Sequence, residues 1–458
     1  MTITLERPTL TSLAPLRAPA LVGAFAFVVS LIAIAVPGVW YDEAATISSA
    51  TRSWPQLFAE IQTVDAVHAL YYAGMHVWFD LVGYSPFTLR LPSAIAVGVA
   101  AAFTTVLGRQ LGLGILGGIV FAILPRTIWM GGEGRSYAFT AAAAVVLTVV
   151  LLRALRSGAR RAWVAYGVLV VISCLLFVYL ALVVVAHAVI ARRVLRRWGV
   201  VVASAGLVVV PFVLWTLGQK GQIEWISPLR GETLDDVLVE QWFMHSVPLA
   251  IAGWALLLLG SWRLRRSPLL WLAFLPTMLL LVATVFAFPV YIPRYLSMSL
   301  PFVALLMAAA IGRRLIVLPV IAALAVPQLV ALRVPEAKEY SSWQQVASLV
   351  DEQKTDATAI IYGTVYKHPT ATARVIQYAY PAAFAGTSDP QLATSAADSG
   401  RLWEYTKPLS PAIDADTVLL VTSTSRDQIP AVTATLSGWH VVEQWHLTHV
   451  NVVKFERN

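Results

Sequence analysis

Apolar runs long enough to cross a membrane recur along the first 334 of this chain's 458 residues. A bilayer core about 30 Å thick takes about 20 mostly apolar residues per helix, and about eleven such windows precede residue 335. They lie near 20–38, 90–108, 112–130, 136–153, 162–177, 178–194, 199–218, 247–262, 267–288, 295–311 and 314–332. The fifth and sixth form one nearly continuous run from Trp163 to Ile190, which a tight break near Phe177 to Leu180 divides. Across the chain 58% of residues are apolar and 13% are charged. Soluble domains carry about twice that charge, so a water-soluble globule with one buried core is excluded. The expected fold is an α-helical polytopic membrane protein.

Charge orients the spans. With a cytoplasmic N-terminus, Arg7, Arg17, Arg109, Arg153, Arg156, Arg160, Arg161, Arg192, Arg193, Arg196, Arg197, Arg263, Arg265, Arg266, Arg313 and Arg314 all fall inside, as the positive-inside rule demands. The acidic residues of the same region sort outward, from Asp42 and Glu43 to Glu240, with Glu6 as the exception. This reading predicts a multi-pass protein of the plasma membrane whose working face is extracytoplasmic. The net charge of +8 then expresses topology, and no nucleic-acid partner is implied. Cys174 is the single cysteine, so no intrachain disulfide is possible. Ala33-Ile34-Ala35 resembles a signal-peptide cleavage site, yet the following Trp40-Tyr41-Asp42-Glu43 needs a fixed anchor, and the first span is read as retained.

From Val334 onward the texture changes. Strand-like runs at Thr358 to Tyr362, Thr417 to Val421 and Val450 to Phe455 alternate with helical patterns at Trp343 to Gln353 and Ala371 to Tyr378. Residues 1–334 are therefore expected to form the membrane domain, and 335–458 a soluble extracytoplasmic α/β domain.

The outer loop 39–89 is too long for a connector and is expected to hold short helices along the membrane surface. Asp42 and Glu43 open it, either marking the outer end of a helix or forming a site; adjacent carboxylates at the membrane edge are costly unless solvated, paired or metal-bound. Asp65 and His68 follow, and His68, Tyr72 and His76 share one helical face. Asp42, Asp65 and His68 are the candidate ligands for a divalent metal, without a dedicated spacing. A second outer turn places Glu133 and Arg135 among glycines, as a site or as an exposed ion pair of little energetic weight. In a third, Arg294 follows Tyr291 and Pro293 at the start of a span; a phosphate held bidentately or simple snorkelling both answer its isolated charge.

Taken together, Val39-Trp40-Tyr41-Asp42-Glu43-Ala44 with the Asp65 to Tyr72 and Gly83 to Ser93 segments, Glu133-Gly134-Arg135-Ser136-Tyr137-Ala138, and Arg294-Tyr295-Leu296 with Pro301 resemble the GT-C superfamily of polytopic glycosyltransferases. The resemblance covers residues 20–345 and is nearest the branch holding protein O-mannosyltransferases and the lipid A aminoarabinose transferase. It implies transfer of a sugar, mannose in the first instance and an arabinose or modified pentose in the second, from a polyprenyl-phosphate donor. The acceptor would be an envelope glycan, lipoglycan or protein outside the membrane. Asp42 would be the general base with Glu43 beside it, Arg135 and Arg294 would hold the donor phosphate, and Glu133 would position Arg135 or the acceptor. Tyr137, Tyr291 and Tyr295 would line the sugar or prenyl path, with Asp65, His68 and Tyr72 as further contacts, and inversion at the anomeric carbon is the family expectation. His68-Ala69-Leu70 departs from the His-Pro-Pro of many relatives. The readings of a different class are a lipid or sugar transporter, which few midplane charges and no inverted repeat disfavour, and a membrane scaffold presenting the C-terminal domain.

Overall fold

The computed structural model of the chain describes residues 14–458; Glu6 and Arg7, two of the charges used above, lie outside the described residues. Every expected window overlaps helix, but the first helix ends at Leu31 and not at 38, and among the described residues fewer than the expected eleven are full-length spans. Among the described residues five helices are long and apolar enough to cross a membrane, or six if a pair bent by 84° near residue 245 counts as one span, and Leu16–Leu31, Val178–Ile190 and Val317–Ala331 are shorter apolar helices. The window at 112–130 is not one helix. It breaks at Leu124, because Pro125 has no N–H to continue the ladder and forces its predecessor into extended backbone.

Small residues set the packing of the first spans. Helix α1 (Ala14–Leu31) lies along α5 (Pro86–Gln110), and a Cβ on Gly23 would meet the Gly98 carbonyl oxygen at 2.8 Å, so the two backbones touch there. Ser85 caps α5 by accepting from the Thr88 N–H at 3.1 Å, with Pro86 pre-set at the first helical position. The span Pro293–Ile311 is apolar beyond its first turns and is the most buried of the five, with 89% of its apolar window buried, whereas Arg192–Leu217 is 11% buried and runs along the periphery.

The segment 39–89 contains the short helices α2 (Tyr41–Ala50), α3 (Trp54–Thr63) and α4 (Ala69–Val82). These helices support the C-terminal sheet-containing domain. Its strands are β1 (Thr358–Tyr362), β2 (Leu392–Thr394), β3 (Tyr405–Thr406), β4 (Thr417–Ser423), β5 (Trp439–Leu447) and β6 (Val450–Arg457). The main sheet has the order β1-β4-β6-β5, with β1 parallel to β4 and the other pairs antiparallel. Because side chains alternate across a sheet, Ile360, Tyr362, Leu419 and Val421 face one core and Ala359, Ile361, Val418 and Leu420 the other. The first of these cores also contains Ile47, Tyr71 and Tyr72 from α2 and α4. One apolar core therefore joins the loop helices to the C-terminal domain, and the surface between them is fixed by packing.

Candidate active site

Arg90 organises the site. It sits four residues into a largely apolar helix and is fully buried, where an unpaired guanidinium would be untenable. All five of its N–H groups are used. Nε and Nη2 grip the Glu43 carboxylate at 2.9 and 2.7 Å, and the other donors reach the carbonyls of Ile34, Pro37 and Gly38 at 2.7–3.0 Å. This pins the turn that leads into α2, so that Asp42 and Glu43 begin the helix at its positive end.

The two carboxylates then separate in role. Glu43 is buried and saturated: it also accepts from Lys338 Nζ at 2.6 Å and from the Gly134 N–H at 2.8 Å. Burial raises its pKa, but Arg90 and Lys338 outweigh that and hold it below the ordinary carboxylate range. Lys338 also reaches Glu133 at 2.9 Å and the Gly132 carbonyl at 2.7 Å, and Trp40 Nε1 donates to Glu133 at 3.0 Å. Glu133 is thus tied to Lys338 and Trp40, and no ion pair joins it to Arg135 among the described residues. Burial and the nearby Glu43 push its pKa up.

Asp42 keeps 17% of its side chain exposed and meets a different cation. Arg294 Nη2 lies 3.5 Å from its carboxylate. Burial opposes its charge, but the guanidinium groups of Arg135 and Arg294 outweigh it and keep its pKa below the usual value. Arg135 donates to the Tyr72 hydroxyl at 2.9 Å and lies 3.4 Å from His68 Nε2. Tyr72 in turn donates to Asp65 at 2.7 Å, so Asp65, Tyr72 and Arg135 form a hydrogen-bonded line. Burial and the Arg135 charge push the His68 pKa down to about 3, which keeps that imidazole neutral. Nε of Arg135 and Nε of Arg294 are both buried donors without a partner. An orphaned buried N–H is costly; Arg294 lies against Asp42, and the charge of Arg135 acts on the same carboxylate.

Aromatic rings complete the walls. Tyr137 stacks on Tyr295 with centroids 6.4 Å apart, and Phe177 and Tyr179 pack against Tyr295. Arg294 lies over Trp40 and Trp225. A cavity of about 460 Å³ is lined by Trp40, Trp129, Glu133, Arg294 and Lys338 together with the Arg126–Glu240 ion pair. From the C-terminal domain His368 stacks flat on Tyr41 at 3.6 Å, and Trp403 Nε1 donates to the Tyr41 hydroxyl at 2.8 Å.

Several expected groupings fail. Tyr291 hydrogen-bonds Gln241 at 3.0 Å, beside Arg126, and does not join Tyr137 and Tyr295. His76 turns to the Ala50 carbonyl and Asp80 instead of following Tyr72 into the site. Asp42, Asp65 and His68 do not assemble as metal ligands: among the described residues no group of three or more His, Cys, Asp or Glu could hold a metal ion, because Asp65 is committed to Tyr72 and Asp42 to the arginines. Arg90 and Lys338 escaped the sequence reading. An arginine inside an apolar helix is itself the sign of a buried partner; nothing near Lys338 in the sequence marks it.

No protein-family model matches the chain, and no curated protein matches it. Solved structures do, among them two of ArnT from Cupriavidus metallidurans. The form bound to undecaprenyl phosphate aligns over 95% of this chain and 97% of that one with a TM-score of 0.58 at 15% identity. The apo form gives a TM-score of 0.57 at 14% identity over the same shares. The chain shares the fold of these ArnT structures over 95% of its length, with several apolar helices and a C-terminal sheet-containing domain.

Proposed function

We propose that the chain is a membrane glycosyltransferase that takes a sugar from a polyprenyl-phosphate donor and transfers it to an acceptor hydroxyl on the extracytoplasmic face. The observation that carries this reading is the Arg294–Asp42 contact at 3.5 Å together with the unpartnered buried Nε groups of Arg294 and of Arg135, whose charge acts on the same carboxylate. ArnT has been solved with undecaprenyl phosphate bound, and a phosphate fits the same need here. Arg294 and Arg135 hold the donor phosphate and stabilise it as it leaves. Asp42 takes the acceptor proton as the acceptor oxygen bonds to the anomeric carbon and the bond from that carbon to the phosphate oxygen breaks. Products are the glycosylated acceptor and polyprenyl phosphate, with inversion expected for a single displacement.

The bound phosphate also tunes the base. By drawing the two arginines' charge to itself, it releases Asp42 from the field that depresses its pKa and makes it a stronger proton acceptor only when donor is in place. Glu43 is the anchor that fixes Asp42's turn, and Glu133 the anchor for Lys338 and Trp40. Asp65 and Tyr72 hold Arg135 in position, His68 packs beside it, and Tyr137 and Tyr295 line the sugar path. The fold supports this reading over a transporter. Mannose is the sugar we favour. Purified full-length protein offered labelled polyprenyl-phosphate mannose and polyprenyl-phosphate arabinose with envelope acceptors should transfer one of them and release polyprenyl phosphate. Folded protein that transfers neither, and binds no polyprenyl phosphate, contradicts the proposal.

A further inference from the structure

A second arginine-rich feature lies far from the site. Helix α8 (Tyr137–Ser157) starts at the aromatic wall and ends just before it, and its 21 residues separate the two by ~30 Å. Helices α9 (Arg160–Leu176) and α11 (Leu195–Leu217) leave that end side by side. They run parallel: Arg197 lies over Trp163 at 5.2 Å, a Cβ on Gly167 would come within 3.0 Å of Val201, and Val171 and Val208 share the far end. Between them is an open groove of about 930 Å³ with apolar walls. Its mouth carries Arg160, Arg193, Arg196 and Arg197. None of these four is in a salt bridge among the described residues, although Arg197 donates to the Gly158 carbonyl at 2.9 Å.

The groove's depth identifies its occupant. From Arg160 to Val171 the helix rises ~16 Å, which matches one leaflet of a hydrocarbon core about 30 Å thick. We propose that this groove binds an anionic diacyl phospholipid from the leaflet on the arginine side, with its phosphate on Arg160, Arg193 and Arg196 and an acyl chain between α9 and α11. Basic recesses between transmembrane helices suit such headgroups. A zwitterionic lipid would bring its own cation to the arginine rim. A polyprenyl chain is much longer than the groove, and a second copy of this chain would set arginine against arginine.

The test uses the delipidated full chain and measures binding of phosphatidylglycerol, phosphatidylcholine and undecaprenyl phosphate by native mass spectrometry. Phosphatidylglycerol should bind one per chain and phosphatidylcholine should not compete. Each arginine removed should weaken binding about fivefold, so Arg193→Gln with Arg196→Gln should lose about 25-fold. Both side chains are exposed, so the fold should tolerate the change, and the matching double lysine variant should retain binding. Val168→Trp, at a wall residue that is 52% exposed, should block the acyl slot with the rim intact. Equal binding of phosphatidylcholine, indifference to both kinds of variant, or displacement by undecaprenyl phosphate would overturn the assignment.

Discussion

Replacing Lys338 with methionine keeps the length of the side chain but removes the ammonium that lies 2.6 Å from Glu43 and 2.9 Å from Glu133. In the native cluster two cations, Arg90 and Lys338, balance two carboxylates, Glu43 and Glu133, all with little or no contact with water. The variant leaves one cation for two carboxylates. Breaking a buried pair in this way costs about 3–5 kcal/mol. The cluster can limit the loss by taking a proton, and Glu133 is where it goes, since burial and Glu43 already push its pKa up. A carboxyl whose pKa is higher in the folded state binds protons there that the unfolded chain releases, so stability falls as pH rises through the window between the two values. Losing Lys338 widens that window upward. Thermal unfolding in detergent should therefore show a small deficit for Lys338→Met near pH ~5 and the full deficit near pH ~8. Adding Glu133→Gln should restore most of the stability at high pH, because Arg90 then matches Glu43 alone. An equal deficit at both pH values, or no recovery in the double variant, would refute the account of the cluster.

Other outcomes follow from the cavity. Arg294→Ala should lower transfer by at least about 100-fold with folding intact, and Arg294→Lys should recover only part, since an ammonium cannot bind phosphate bidentately. Tyr72→Phe leaves Asp65 and one Arg135 N–H unpaired, and transfer should fall about tenfold with a smaller loss of thermal stability than Lys338→Met. Because the arginines depress the Asp42 pKa in the free enzyme and bound phosphate offsets them, the acidic limb of kcat should lie at higher pH than that of kcat/KM. His68, already neutral with its pKa pushed down to about 3, should contribute no limb between pH ~5 and ~8, so His68→Gln should leave the profile's shape unchanged.

The parts of the molecule governed by local pattern were readable from the chain. Apolar windows located the helices, short strand-like runs located β1, β4 and β6, and Arg294 reaches Asp42 from a distant segment while the charge of Arg135 acts on the same carboxylate. What depends on long-range pairing was not readable. Glu43 stands beside Asp42 in sequence, yet Arg90, 47 residues away, and Lys338, 295 away, take both its oxygens. Glu133 is two residues from Arg135, but the turn through Gly134 sends them to different partners, one to Lys338 and the other to Tyr72. Tyr291 precedes Arg294 closely, but the extended backbone at Ile292 turns it toward Gln241. The part played by His368 and Trp403 depends on how the C-terminal domain docks on α2, through a core that neither segment reveals alone.

The central claim is that Asp42, framed by Arg135 and Arg294, is the proton acceptor for glycosyl transfer. Single-turnover transfer from labelled polyprenyl-phosphate sugar, comparing wild type with Asp42→Asn, tests it most directly, with polyprenyl phosphate binding measured on both. The account predicts that Asp42→Asn binds the phosphate at least as well as wild type, because a competing carboxylate is gone, while transfer falls by about a hundred- to ten-thousandfold. Transfer at the wild-type rate by Asp42→Asn would contradict it.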